Sequence, residues 1–334
     1  MKRKLTAFLP AVLAVLMLLS ACSDSGLKEG CLMIDGKNVE FPWVLRIDGQ
    51  DIDAALYRYQ FLQMRDETAE DETWDMTVEE NSVLHKQQVA EFLALIIATE
   101  DLAGEYGITR NEESAAYAQS QLDATKAQYG DEDEFAAALA EQYMTEALYR
   151  ELLEEDYLQT QLYEAMFGEG GAYYLSDADL VRAVDEEYVR VRYLALKFDD
   201  STKSEKLAQA AELQQRIAGG ESFVDLVNTY GEERGMNGNP DGLYLCADMT
   251  TDPTFEAACF ALDVDEISDT VVSDGTIYII KRLPIEAEYV ADNAESLRNN
   301  HYSLIFGEMI LRRAQAFSIE TCENYGQITL TSMS

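Results

Sequence analysis

The chain has 334 residues, 47% of them hydrophobic, with 25 basic and 63 acidic side chains and a formal charge of −38. That much apolar content excludes wholesale disorder. The acidic excess makes nucleic acid a poor partner, because nothing is available to neutralise phosphates. It favours solubility and long-range attraction of basic or unfolded polypeptide.

The first 22 residues form a distinct segment. Lys2, Arg3 and Lys4 precede an apolar run from Leu5 to Leu19, interrupted only by Thr6 and Pro10. About fifteen apolar residues fall short of the ~20 needed to span a membrane, and the three-part layout is that of an export signal. Leu19-Ser20-Ala21-Cys22 resembles a bacterial lipobox, which implies lipidation at Cys22 and a chain anchored to the membrane outside the cytoplasm. An ordinary signal peptide with an incidental Cys22 is the alternative. Residues 23–46 then read as a tether (Ser23-Asp24-Ser25-Gly26) and an extended, hairpin-like lead-in around Gly36 and Pro42.

From Asp51 to about Phe167 the periodicity is helical. Ile52, Leu56, Tyr59, Leu62 and Met64 fall near one face, and Val83, Val89, Phe92, Leu93, Ile96 and Ile97 recur at three-to-four spacing. Gly104 and Gly107 close the second helix, Thr109 with Glu112 predicts the next cap, and Asp131 starts another. Gly168, Gly170 and Gly171 end the region. The acid-rich stretches 66–75 and 131–134 lack the ligand spacing of a calcium loop and read as solvated surface.

After Ser176-Asp177 the texture changes. Tyr188 to Phe198 alternates as a strand, with Val189, Val191, Tyr193 and Ala195 on one face and Arg190 and Arg192 between them. A helix over 204–218 ends at Gly219-Gly220, Ser222 caps another through Tyr230, and a short strand follows at Leu243 to Leu245. Phe255 to Leu262 is helical. Ser273-Asp274-Gly275 separates two closing strands. This order predicts an α+β domain with helices packed on a small antiparallel sheet. Cys31, Cys246, Cys259 and Cys322 show no metal or redox spacing and read as buried free thiols. His85 and His301 have no partner spacing for a metal or triad.

These blocks resemble the parvulin-type peptidyl-prolyl isomerases. Val189-Arg190-Val191-Arg192-Tyr193-Leu194 resembles the family's VRARHIL strand, and Gly219 to Leu226 its G-x-x-F-x-x-L helix. Asp241 to Leu245 is a degraded GDLG-x-F, Phe255 to Leu262 matches FE-x-A-x-F-x-L, and Glu266-Ile267-Ser268 and Tyr278 to Lys281 match GEIS and HIIK. Ile47-Asp48-Gly49, Tyr106 to Thr109 and Leu175-Ser176-Asp177 are similar to flanking motifs of the PrsA/SurA class of extracytoplasmic foldases.

The resemblance implies a helical chaperone domain (47–175), an inserted parvulin-like domain (176–285), and a C-terminal helix (286–334) returning to the chaperone domain. That helix is read at Glu286 to Phe317, with Leu297, Leu304, Ile305, Met309 and Ile310 as its apolar stripe.

The resemblance also implies partners: unfolded exported polypeptides, and the membrane through the lipid. No cofactor is required, and the sequence leaves the oligomeric state open. Carried over by position, Leu243, Met249 and Phe255 are candidates for an apolar proline pocket. The stretch to Phe255 runs two residues longer than the family pattern. The family's paired histidines are replaced by Tyr193 and Tyr278, and its Cys or Asp position falls at Glu233. A phenol with a pKa of ~10 stays neutral at working pH. Two readings follow: a foldase with peptidyl-prolyl isomerase activity, or a non-catalytic holdase or assembly scaffold on the same fold.

Overall fold

The computed structural model describes residues 27–69, 74–233, 236, 242–247 and 250–334. The export segment, Cys22 and Met249 lie outside them. The chain is mixed α and β and divides into two compact units, one from Leu175 to His301 and the other comprising the described residues before Leu175 together with Tyr302–Ser334.

The mainly helical unit opens with two hairpins. β1 (Cys31–Ile34) pairs with β2 (Lys37–Glu40), and β3 (Leu45–Ile47) with β4 (Gln50–Ile52). Each turns through an Asp-Gly pair, Asp35-Gly36 and Asp48-Gly49, with all four residues at positive φ. Asp-Gly suits the type I′ geometry that such two-residue turns require. Five helices follow: α1 (Ala54–Ala69), α2 (Glu79–Glu105), α3 (Glu112–Lys126), α4 (Glu132–Glu141) and α5 (Glu146–Phe167).

Caps set several of their starts. The Thr109 cap is corrected: Asn111 caps α3, accepting from Glu113 and Ser114, while the Ser114 hydroxyl returns a bond from the Asn111 N–H. Asn is an intrinsically better cap than Thr, and in the structure the reciprocating residue is Ser114, three positions after Asn111. Asp131 caps α4 by accepting from Glu134 N at 2.9 Å. Core positions include Tyr57, Phe61, Leu62, Leu93, Leu122 and Leu162. β9 (Ile319–Thr321) closes the unit by pairing with β3.

The second unit starts with α6 (Asp177–Glu187) and β5 (Tyr188–Lys197), followed by α7 (Lys203–Ala218), α8 (Phe223–Tyr230), β6 (Leu243–Cys246), α9 (Pro253–Ala261), β7 (Val271–Ser273) and β8 (Thr276–Leu283). The sheet order is β6-β5-β8-β7, antiparallel throughout, with β5 and β8 as the inner strands. Ser222 caps α8 by accepting from Asp225 N.

Strand alternation assigns the two faces of this sheet. Val189, Val191, Leu245 and Ile280 pack under Phe255 and Cys259 of α9 and under Leu262, which follows it. Leu194, Leu196, Ile277 and Ile279 pack under Ala210 and Leu213 of α7 and Phe223, Leu226 and Val227 of α8. Farther along the second face, Tyr188, Tyr244 and Cys246 pack with Leu180, Val184, Val290 and Leu297. Arg190 and Arg192, read in the sequence only as alternating positions, are buried on this face at 4% and 6% exposure.

The continuous helix expected over 286–317 is corrected as well. The chain forms α10 (Ala287–Asp292), breaks at Asn293, and resumes as α11 (Ala294–Ala314). The Asn293 side chain donates back to Tyr289 O at 2.8 Å, a local bond that competes with helix continuation. In α11 the buried positions are Leu297, His301, Tyr302, Phe306, Ile310 and Ala314, whereas Leu304 is exposed. Of the thiols read as buried, Cys246 and Cys259 are, while Cys31 and Cys322 are only partly covered.

Candidate proline-binding site

The site is built on the α9 face of the second unit. Asp252 fixes where α9 begins: its Oδ1 accepts from Thr254 N at 3.1 Å and Phe255 N at 2.9 Å, and Pro253 occupies the first helical turn. Proline suits that position because its missing N–H has no intrahelical role there. The same Oδ1 accepts the Ser273 hydroxyl at 2.7 Å, tying the start of α9 to the edge strand β7. Phe255 is thereby held over the sheet.

Tyr193 of β5 and Tyr278 of β8 lie beneath it. Tyr193 pairs with Ile280 and Tyr278 with Ala195, so the two tyrosines are diagonal neighbours across the strands. Their ring centroids are 5.7 Å apart at 78°. Phe255 completes a triangle, 4.9 Å from Tyr193 at 74° and 4.6 Å from Tyr278 at 45°. Such edge-to-face and tilted pairs contribute about 0.5–1.5 kcal/mol each beyond area burial. Leu243 of β6, in register with Val191, packs against the same cluster.

Electrostatics keep both phenols neutral. Burial, then the charge of Glu233 and the neighbouring Tyr278, push the Tyr193 hydroxyl up to about 12. Burial first, with Asp252 and Glu233 adding to it, raises Tyr278, whose hydroxyl lies beside Thr276 and Asp252. Glu233 reaches the site because its segment docks on the end of β5. Glu232 N donates to Ala195 O at 2.9 Å, and Lys197 N donates to Glu232 Oε2 at 2.7 Å. The Glu233 carboxylate lies 3.8 Å from the Lys197 ammonium. Cys259 is fully buried, with its thiol pushed up to about 12 by that burial, so it serves packing and not nucleophilic chemistry.

Four sequence candidates, Tyr193, Tyr278, Phe255 and Leu243, are therefore gathered in one cluster, with Glu233 at its electrostatic edge. Met249 is outside the described residues. Asp252 was missed, although an Asp immediately before Pro253 and a helical pattern is a readable cap signal. Its bond to Ser273 depends on a contact across 21 positions of chain and has no local signature. The arrangement offers an apolar, aromatic cluster with two neutral hydroxyls, each able to donate and accept a hydrogen bond.

Residues 175–283 match the family model of the PPIC-type PPIASE domain. The foldase protein PrsA of Oceanobacillus iheyensis is 41% identical over 73 residues, which is 21% of this chain and 24% of that protein, so the chain spans about a quarter of the relative it matches. Among solved structures, a peptidylprolyl isomerase (PrsA) from Bacillus anthracis is 19% identical with a TM-score of 0.38, covering 67% of this chain and 95% of that one. PrsA from Bacillus subtilis is 18% identical with a TM-score of 0.27, covering 80% and 88%. Residues 175–283 are thus similar to the PPIC-type peptidyl-prolyl isomerase domain, in a chain similar over 73 residues to a PrsA foldase.

Proposed function

We propose that this chain is an extracytoplasmic foldase, lipid-anchored through Cys22, that binds unfolded exported polypeptides and holds their prolines in the Tyr193–Tyr278–Phe255 recess. The observation that carries the reading is that aromatic triangle, set at the family's histidine and pocket positions and bordered by Leu243. The domain plan that goes with it is a chaperone domain at 47–175, a parvulin-like domain at 176–285, and a C-terminal segment, 286–334, returning to the chaperone domain. No helix among the described residues is long and apolar enough to cross a membrane, so the anchor in this proposal is the lipid.

Rotation about an X–Pro bond faces a barrier of about 18–20 kcal/mol from amide resonance. Lowering it requires no nucleophile, only tighter binding of the twisted amide than of either planar form. Phe255 and Leu243 present apolar surface to a pyrrolidine ring. The Tyr193 and Tyr278 hydroxyls, neutral at working pH, can donate to the twisted amide nitrogen or to the carbonyl oxygen. Glu233 and Asp252, in this reading, keep the phenols protonated and attract a basic client. The replacement of the family's paired histidines by Tyr193 and Tyr278 favours a second reading, a holdase that binds proline segments without accelerating their rotation.

The test is NMR exchange of an X–Pro peptide with the purified chain, run beside suppression of aggregation of a denatured exported protein. Suppression with accelerated exchange supports the foldase, and suppression without it selects the holdase. Failure of suppression contradicts both.

A further inference from the structure

The mainly helical unit buries a titratable group that the proline site does not use. His85 of α2 is fully buried, its ring edge to face with that of Phe61 of α1 at a centroid distance of 4.5 Å. Its Nε2 lies 2.9 Å from the Phe61 carbonyl oxygen. A carbonyl only accepts, so Nε2 carries the proton, and in the neutral ring Nδ1 is a bare lone pair. Among the described residues no hydrogen-bond partner reaches Nδ1. A second proton there would be buried with nothing to receive its hydrogen bond.

The imidazole is flanked by two side chains that hold residues 328–334. Ser82, one turn before His85 on α2, accepts the Leu330 N–H at 3.0 Å. Arg65, one turn beyond Phe61 on α1, donates to the Met333 carbonyl at 2.9 Å. The rest of the docking is apolar or through backbone. Ile328, Leu330 and Met333 are buried, Asp35 N donates to Ser332 O at 2.8 Å, Ser334 N to Met33 O at 3.2 Å, and Arg58 Nε to Ser334 O at 3.1 Å.

The charged groups on the packed elements offer an imidazolium no counter-ion. From α1 come Arg58, Arg65 and Asp66. Asp66 is paired with Arg65 and accepts the Tyr143 hydroxyl, while Arg65 bears on the imidazole and opposes a charge there. On α2, Lys86 lies over the Tyr325 ring, and Glu79 and Glu80 are at the exposed start of the helix. Tyr57, Tyr325 and Cys322 border one another, and Arg46 of β3 pairs with Asp51. Glu151 and Glu155 of α5 lie by Glu100, about four helical turns along α2 from His85. Residues 328–334 carry no titratable side chain.

We propose that His85 is a pH-sensitive latch: neutral, it lets residues 328–334 close over α1 and α2, and protonated at mildly acidic pH it releases them while both helices stay folded. The segment is the piece that moves because a short stretch held by a few bonds opens at lower cost than two long packed helices. Burial first, with Arg65 adding to it and the Phe61 carbonyl opposing, holds the pKa of the closed form below the ordinary imidazole value. In the opened form the ring titrates near 6.5. The closed form is therefore unaffected above that pH and loses ground as pH falls below it. Release bares Ile328, Leu330 and Met333, so the latch ties the apolar surface of the helical unit to the surrounding pH.

Amide hydrogen exchange of the purified full chain, followed by NMR at pH 7.5 and pH 5.0 and expressed as protection factors, tests the latch. The Leu330 and Ser334 amides should lose about tenfold or more of their protection at pH 5.0, while amides in the middle of α1 and α2 change less than about twofold. The His85 ring resonances should shift over the same pH range, a readout that needs no variant. His85→Gln keeps a donor for the Phe61 carbonyl and does not titrate, so the segment should stay protected at pH 5.0. Ser82→Ala removes the Leu330 acceptor but keeps the imidazole. It should lower protection at both pH values and retain the further loss in acid. Unchanged protection of the segment in the wild type at pH 5.0 overturns the latch. So does a loss shared equally by α1 and α2, a loss out of step with the His85 titration, or an equal acid loss in His85→Gln.

Discussion

Tyr193 and Tyr278 meet edge to face across the β5–β8 ladder, ring centroids 5.7 Å apart, with Phe255 closing over both. Neither hydroxyl is the group a histidine would supply. Each is neutral across the working pH range, longer than imidazole, and held by packing as much as by polar contacts. The rings and the hydroxyls can therefore be tested apart.

Tyr193→Phe and Tyr278→Phe keep the aromatic triangle and remove only the oxygens. Each variant should fold with a stability change of about 1 kcal/mol or less. Binding of an X–Pro peptide should persist, because the apolar contacts remain. Any acceleration of X–Pro exchange should fall in the double variant. Titration calorimetry and exchange NMR on the same samples measure both quantities.

The pH dependence of the second unit follows from the raised Tyr193 phenol. Its folded pKa of about 12 lies above the unfolded value near 10. Below pH 10 both states hold the proton, and the group contributes no slope. Between about 10 and 12 the folded state holds more protons than the unfolded state, so stability falls as pH rises. Denaturation of the wild type and Tyr193→Phe across this window should show the steeper decline in the wild type.

Asp252 should matter to the site beyond its place in the sequence pattern. Asp252→Ala removes the acceptor for Thr254 N, Phe255 N and the Ser273 hydroxyl, and should cost about 1–2 kcal/mol. It should also weaken peptide binding, because Phe255 loses the cap that positions it. Asp252→Asn keeps an acceptor oxygen and should retain most of both. Urea unfolding and peptide titration distinguish the two variants.

The parts of this site that were legible in the sequence are the local ones. Ser222 is a cap followed by an apolar helix, and Asp274-Gly275 is a turn between two alternating runs, so residues within a few positions decided both. Thr109 with Glu112 offers the familiar capping pattern, while Asn111 is the better intrinsic cap and donates its N–H to the Ser114 hydroxyl, a pairing less readable from sequence. The break at Asn293 was hidden because the helical pattern continues on both sides of it. β9 pairs with β3 across more than 260 positions, and the burial of Arg190 and Arg192 depends on helices that arrive later in the chain. No window along the chain carries those contacts.

Gly242 offers a backbone test. Its φ is +75°, and a Cβ there would lie 2.7 Å from Val191 O. Gly242→Ala therefore meets both left-handed strain, about 1–2 kcal/mol, and a contact with backbone that cannot move aside easily. The variant should lower the thermal midpoint of the second unit and weaken peptide binding through displacement of Leu243, the next residue in β6.

In the helical unit, Glu100 and Glu155 share Arg110, at 2.5 and 3.3 Å. Burial first, then the adjoining Glu100 carboxyl, raises the Glu155 pKa well above the usual carboxylate value, against the pull of Arg110. The folded state therefore holds a proton that the unfolded state releases just above pH 4.5, and stability falls as pH rises from there through the folded pKa. Glu155→Gln should flatten that decline and raise stability at pH 8 relative to the wild type. Chemical denaturation at pH 5 and pH 8 provides the comparison.

The most direct test of the central claim is NMR of the purified chain with an X–Pro peptide, recording ring-proton shifts of Tyr193, Tyr278 and Phe255 together with cis–trans exchange of the peptide. The account predicts saturable shifts on all three rings, with those of Tyr193 and Tyr278 reduced when Phe255 is replaced by Ala, whether or not exchange accelerates. Peptide binding that leaves those rings unshifted, or no binding to the chain at all, would contradict it.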